Sequence, residues 1–445
     1  MGGRFLACVL IMVTVSLSGC SVLSTHKDKD QVEGTLTVLY YNETLFAEDY
    51  GKRLKAEFPE LEVKVVPTED LMTQGSGYIP SILERIDKEK PDLFGLWSPL
   101  FDELANSNKL YDLDLLEGVG DVAQSFDSEF MAWIRGKAAG KLYGLPPAFQ
   151  SMVLYYNKDI FDRYRVEYPR DRMSWEDVMQ LANQIYSRSD PKSPVYGYAH
   201  YGDELYPLIE TIGQTVSLNA VDARGKNVTI DSESWRKVFE LVLNAYQTGG
   251  IYRPPERQDG NTASDSVSSH PFIQGKAAMA FGGSYLIPML EQSWNSPSEQ
   301  QLAKNWAVVT APVDPRNPNR TFFASPSTLF AIRADTPNQS LAAAVLKYIV
   351  SENAIRSKSL TRDSMPIRED LLRDNDNRHL SSFYELTPAD PPVRNAPDRF
   401  YATMSSLAED AIQQVLQNKM SLDEALDRLQ KNAQEQLDLA NAQDR

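Results

Sequence analysis

A chain of 445 residues exceeds what one ordinary hydrophobic core organises, so two to three domains, or one large domain with two lobes, are expected. With 42% hydrophobic and 24% charged residues, the composition is that of a soluble globular protein. Lys plus Arg number 45 against 61 Asp plus Glu, a net charge of −16, which leaves no basic footprint for a phosphate backbone and argues against nucleic-acid binding.

The N-terminal MGGRFLACVLIMVTVSLSGCS has Arg4, an apolar run over 5–17 and a small-residue exit at Ser18-Gly19, the plan of a secretory signal peptide over residues 1–19. A membrane-spanning helix needs roughly 20 apolar residues, more than this run supplies. Leu17-Ser18-Gly19-Cys20 resembles a bacterial lipobox, after which Cys20 becomes the acylated first residue of a lipoprotein. A soluble secreted protein with an incidental cysteine is the alternative. The other cysteine, Cys8, lies in the discarded segment, so the mature chain has no internal disulfide and no thiol chemistry. Residues 20–34 are polar and read as a flexible tether with a reach of about 20 Å.

The folded part begins with TLTVLYY (35–41), a strand, and LEVKVVP (61–67), a second one. Between them Leu45, Phe46, Tyr50, Leu54 and Phe58 fall at helical spacing, and Pro59 ends the run. Ile79, Ile82, Leu83 and Ile86 form another helical stripe, and Pro91 leads into the buried-looking strand DLFGLW (92–97). Helices alternating with short apolar strands predict an α/β fold with a mostly parallel sheet. YDLDLL (111–116) alternates, which predicts Leu113 and Leu115 inside, with Asp112 and Asp114 outside.

Further on, Ser174-Trp175-Glu176-Asp177 has the form of a capping box, and Asp231 or Ser232 caps the helix that ends at Gly249-Gly250. Residues 253–270 read as a polar surface loop. Strands recur at KAAMAF (276–281) and NWAVVTAP (305–312), and long helices occupy 400–416 and 422–437, the second behind a Ser421 to Glu424 capping box.

Catalytic and metal motifs are scarce. The histidines are His26, His200, His270 and His379, in no ligand spacing, and neither HExxH nor GxSxG occurs. Asp374, Asp376 and Glu385 imitate parts of a calcium loop, but Arg378 and His379 stand where a ligand and a turn glycine are required, so a solvated loop is expected. No cofactor or metal is read, and no pair of carboxylates stands out for glycoside hydrolysis.

Several segments, taken in order, resemble the extracytoplasmic solute-binding lipoproteins of ABC importers, of the maltodextrin-binding type. They are PDLFGLWSPLFDELANSNKLYDL, GKLYGLPPAFQSMVLYYNKDIF, FIQGKAAMAFGGSY, WAVVTAPVDP and MPIRED, spread over nearly the whole mature chain. The resemblance implies an α/β, two-lobed periplasmic-binding-protein-like fold with the ligand cleft between the lobes and hinge crossovers. Lobe 1 is expected over 35–148 and 313–364, and lobe 2 over 149–312 and 365–445. Two departures are Ser325-Pro326-Ser327, where the family often has Gly-Gly, and Tyr285, where it often has Trp.

Sugars present apolar faces edged by hydroxyls, so aromatic platforms beside hydrogen-bonding side chains are sought. Trp97 ends a strand and is the first candidate, whereas Trp133, Trp175, Trp235 and Trp294 sit in helix patterns and read as core. The resemblance adds Gln150 in the crossover, Tyr206 before PLIETIGQ and Tyr285 after FGG; Asn42, Glu43 and Asp203 are polar candidates. The implied function is a monomeric, lipid-anchored receptor on the extracytoplasmic face of the cell membrane. It captures a carbohydrate, expected to be an oligosaccharide, by hinge closure and delivers it to ABC permease subunits. Alternatives are the same scaffold binding a cationic solute such as a polyamine, which needs Glu43 or Asp203 beside Trp97 and Tyr285, or a surface polysaccharide-degrading enzyme.

Overall fold

The computed structural model describes residues 32–443, except for 73–77, 201, 203, 254–269, 294–302, 359–363 and 373–377. The signal segment, Cys20, most of the tether, Asp203, Trp294, Asp374 and Asp376 lie outside the described residues. The strands are β1 (Gly34–Tyr40), β2 (Leu61–Pro67), β3 (Leu93–Leu96), β4 (Ala148–Asn157), β5 (Tyr196–Ala199), β6 (Ala277–Gly283), β7 (Trp306–Thr310), β8 (Arg320–Thr321), β9 (Ala324–Pro326), β10 (Leu329–Ile332), β11 (Met365–Pro366) and β12 (Thr387–Pro388).

Continuous apolar runs favour strands buried on both faces, and Leu36, Val38, Leu39, Leu93 and Phe94 are fully enclosed in a first sheet ordered β10-β3-β1-β2. β1 runs parallel to β2 and β3, as the strand-helix-strand pattern requires, and β10 closes the sheet antiparallel to β3. At the start of β3 the Asp92 carboxylate is buried, and it accepts hydrogen bonds from Thr37 N at 2.9 Å, the Thr336 hydroxyl at 2.5 Å and the Asn338 amide at 3.3 Å. A buried carboxylate needs such donors, and here two of the three come from beyond β10.

The helix predicted after β1 forms as Glu43–Phe46 and Lys52–Glu57, with a π turn at Ala47–Gly51 between them. The expectation for YDLDLL is corrected: Leu113 is buried, but Leu115 is 71% exposed. Asp112 accepts from Asp114 N and caps a 3-10 turn over Leu113–Leu115, so the local period is three and not two.

The second sheet is organised by β4. Its first residues pair with β9 and β11 and its later ones with β6 and β7, all antiparallel, while β5 joins β6 in parallel. The mostly parallel expectation therefore holds for the first sheet only. The difference arises because β4 comes across from the first sheet, where Leu145 bridges to Phe330 of β10, and meets its neighbours head-on. Asn157 Oδ1 then accepts from Ile160 N at 3.3 Å and caps helix Lys158–Tyr164.

Alternation along β4 separates two cores. Phe149, Val153 and Tyr155 belong to a first core that also holds Leu36, Phe101 and Phe330, whereas Leu154 and Tyr156 belong to a second with Trp175 and Trp235. Helix Trp175–Arg188 starts at the complete Ser174/Asp177 capping box, and Ser232 caps Glu233–Gln247. Helices Asp398–Leu416 and Leu422–Gln443 cover the second core with Phe400, Met404, Leu426 and Leu437.

Candidate functional site

Side chains just beyond the carboxyl ends of parallel strands are free of the sheet ladder, so ligands collect there in α/β folds. In the first sheet those positions are Tyr41, Asn42 and Glu43 after β1 and Trp97 after β3. Asn42 is fully engaged: its Oδ1 accepts from Leu45 N at 2.8 Å as a helix cap, and its Nδ2 donates to Glu69 Oε2 at 3.0 Å. Glu43 is exposed and lines a groove of about 200 Å³ with Phe46, Leu54 and Val65 at the β2 edge, the edge opposite β10. Neither was distinguishable from a ligand group by residue type alone.

Trp97 stands in extended backbone (φ −94°, ψ 160°) between β3 and helix Ser98–Asn106. Its ring is 5.9 Å from that of Tyr78 and packs on the first core, and its buried indole Nε1 has no hydrogen-bond partner among the described residues. Leu96 pairs with Leu329, so this end of β3 lies level with the residues that lead from β9 into β10.

Between the sheets, β4 carries Gln150 exposed, while Phe149 is 2% and Ser151 4% accessible. Gln150 pairs with Ser325 of β9, which is exposed too. Residues directly opposite in an antiparallel pair share a face, so an amide and a hydroxyl stand side by side on the strand that crosses between the sheets. Met152, two residues on, pairs with Gly283 of β6. Beyond Gly283, Tyr285 is 37% exposed and folds back over the strand end, where a Cβ on Gly283 would sit 2.9 Å from its Cδ1. Glycine there admits the ring.

The same face holds Phe281 and Phe323, both partly exposed, with ring centroids 5.1 Å apart at 77°. Ser325, Phe281 and Phe323 were missed by sequence reasoning. The alternation around Gln150 could have found the face, but the register that brings β9 to it is not local.

Tyr206 is corrected. It is 3% exposed, buried in the second core at the start of helix Tyr206–Thr215, and burial pushes its phenol pKa up. Glu409 Oε2 accepts from Leu205 N at 2.9 Å and Tyr206 N at 3.1 Å, so a carboxylate of the distant helix Asp398–Leu416 caps this one. Asp203 and Cys20 lie outside the described residues. Gln150 is thus exposed on the crossing strand and Tyr285 lies at the end of the neighbouring β6, Trp97 stands at the end of β3 in the first sheet, and Tyr206 is buried away from solvent.

His270 is a buried histidine, 7% exposed. Its Nδ1 accepts from Phe272 N at 3.3 Å, and burial, reinforced by the charge of His200, lowers its pKa to about 4. The unfolded chain, with an ordinary histidine near pH 6.5, binds more protons between these values, so stability is lost as pH falls through that window and levels off below it. A loss of about 3 kcal/mol is expected on acidification. Thermal melts of His270→Gln at pH 7 and pH 4.5 check this: the variant should lose most of the pH slope, and an unchanged slope assigns it to other groups.

Among the described residues no helix is long and apolar enough to cross a membrane, and no cluster of three or more His, Cys, Asp or Glu could hold a metal ion. The family described as bacterial extracellular solute-binding protein matches residues 72–378. The galactooligosaccharide-binding protein of Bacillus subtilis (strain 168) is 22% identical over 305 residues, 67% of this chain and 66% of its own length. The maltodextrin-binding protein MdxE of the same organism is 25% identical over 190 residues, 42% of this chain and 40% of its own. This chain therefore matches less than two thirds of either relative's length. Among solved structures, an extracellular solute-binding protein family 1 member from Alicyclobacillus acidocaldarius superposes with a TM-score of 0.66 at 15% identity, covering 91% of this chain and 98% of the other. That likeness bears out the two-lobed periplasmic-binding-protein-like fold.

Proposed function

The chain belongs to the bacterial extracellular solute-binding protein family, and from that premise we propose that it captures a neutral oligosaccharide between its lobes and passes it to an ABC permease. It is a receptor and not a catalyst, acts as a monomer, and is held at the membrane by a lipid on Cys20, a reading supported by the LSGC motif behind the apolar leader. Its lobes are 35–148 with 313–364, and 149–312 with 365–445. The observation that carries the proposal is Gln150, exposed between two buried neighbours on the crossing strand and paired with exposed Ser325. Trp97 at the end of β3 and Tyr285 beyond β6 are the aromatic candidates, and the galactooligosaccharide and maltodextrin names of the two relatives point to the same ligand class.

Ligand that engages both lobes stabilises the closed arrangement, and the permease reads that arrangement. Glu43, at the β2 edge, does not favour the cationic-solute alternative. Calorimetric titration and thermal melts with maltotriose, maltohexaose, galactotriose and spermidine test the proposal. At least one saccharide should raise Tm by a few degrees, about 2.7 kcal/mol of stabilisation at a hundredfold excess over Kd. Gln150→Ala should weaken that binding about tenfold with the melting of the free protein unchanged. A chain that responds to spermidine alone, or to nothing, overturns the proposal.

A further inference from the structure

We propose that Phe323, held edge-to-face by Phe281, is an apolar platform on which one pyranose ring of the ligand lies, with Ser325 and Gln150 at its polar edge; this rests on the oligosaccharide reading above. The register carries the assignment. Ser325 is paired with Gln150 and Ala324 with Ser151, and Met152 N donates to Phe323 O at 3.2 Å, so Phe323 continues the ladder opposite Met152. Alternation puts Phe323, Ser325, Gln150 and Met152 on one face, while Ala324, Phe149 and Ser151 are buried on the other.

From the other side, Gly283 pairs with Met152 and Phe281 with Leu154, which brings Phe281 to the same face. Phe281 is anchored in turn on buried Trp175, 5.4 Å away at 75°. The Phe323 ring is thereby fixed from behind, with Ala311, Val313 and Leu386 packed beneath it, yet it keeps part of its surface open. A rigid aromatic face beside an amide and a hydroxyl matches the two surfaces of a sugar, its CH face and its hydroxyl edge. A purely structural lid on the small Ala311-Val313-Leu386 cluster calls only for an apolar side chain of similar volume. A platform calls for a flat ring.

The two roles separate by substitution. Wild type, Phe323→Leu, Phe323→Tyr and Phe323→Ala are titrated calorimetrically with maltotriose, maltohexaose and galactotriose and melted without sugar. Phe323→Leu should weaken binding about tenfold or more while melting close to wild type, and Phe323→Tyr should stay within about threefold of wild-type affinity. If Phe323→Ala does not fold, the leucine and tyrosine variants decide. Wild-type affinity in Phe323→Leu overturns the platform and leaves the receptor function standing. A wild type that binds none of the saccharides overturns the receptor reading and the platform with it.

Discussion

Trp97→Ala is expected to weaken oligosaccharide binding by about 30- to 100-fold, or about 2 to 3 kcal/mol, the size of effect seen when a central aromatic anchor is truncated. The argument begins at β3, whose apolar run ends where the chain turns into helix Ser98–Asn106, leaving Trp97 in extended backbone at the strand's carboxyl end. Its ring is supported by Tyr78 and by the first core, so little side-chain freedom is left to lose on binding. Its buried indole N–H has no partner among the described residues, and a buried donor in that condition gains from an acceptor brought to it. Trp97→Phe separates the two contributions, because it keeps a ring on Tyr78 and removes the donor. Titration gives the affinities and melting of the free variants gives the packing loss. Unchanged Kd in Trp97→Ala removes the residue from the site.

Gly197→Ala is the substitution expected to damage the fold most per atom added. Gly197 lies in β5 against helix Trp175–Arg188, and a Cβ there would fall 2.0 Å from Ala182 Cα and 2.2 Å from its carbonyl oxygen. Both obstacles are backbone, so no rotamer change relieves them. Moving the helix would disturb Trp175, Met179 and Ile185, all fully packed in the second core. Overpacking of this kind costs about 3 kcal/mol or more, which for a chain of this size lowers Tm by about 3 to 4 °C. Gly136, where an added Cβ would meet nothing within 4 Å among the described residues and φ is not positive, is the control, and alanine there should leave stability unchanged or slightly raised. Equal melting of the two variants would mean that β5 and the helix are less tightly joined than described.

Local signals were read well where one short segment decides the outcome. β2 spans the residues of LEVKVVP, Ser174 and Ser232 cap the helices that follow them, and Ser421 and Glu424 cap each other across the start of the last helix. What escaped depends on partners far along the chain. β8, β9, β11 and β12 are two or three residues long, too short to show a period, and are strands only because something pairs with them. Tyr206 looked like a cleft aromatic because its burial is imposed by Glu409 and helix Asp398–Leu416, about 200 residues later. Among the proposed ligand groups, Gln150 was named from its setting in the crossover, and Ser325 and Phe323 were not, since no local pattern announces the β4–β9 register. Leu115 shows the opposite error, an alternation taken as a strand face that Asp112 converts into a turn.

The carboxylate of Asp92 has a bearing on how the chain is made. Its side-chain donors Thr336 and Asn338 are 244 and 246 residues further along, and β10 must pair with β3 to bring them there. A chain that ends before Thr336 lacks both of these donors, and burying the carboxylate on the Thr37 amide alone is costly. Contacts of such long separation also close slowly, because chain entropy is lost before they repay it. Closure of the first sheet around Asp92 is therefore a late and non-local event, one that couples the beginning of the chain to residues 329–338.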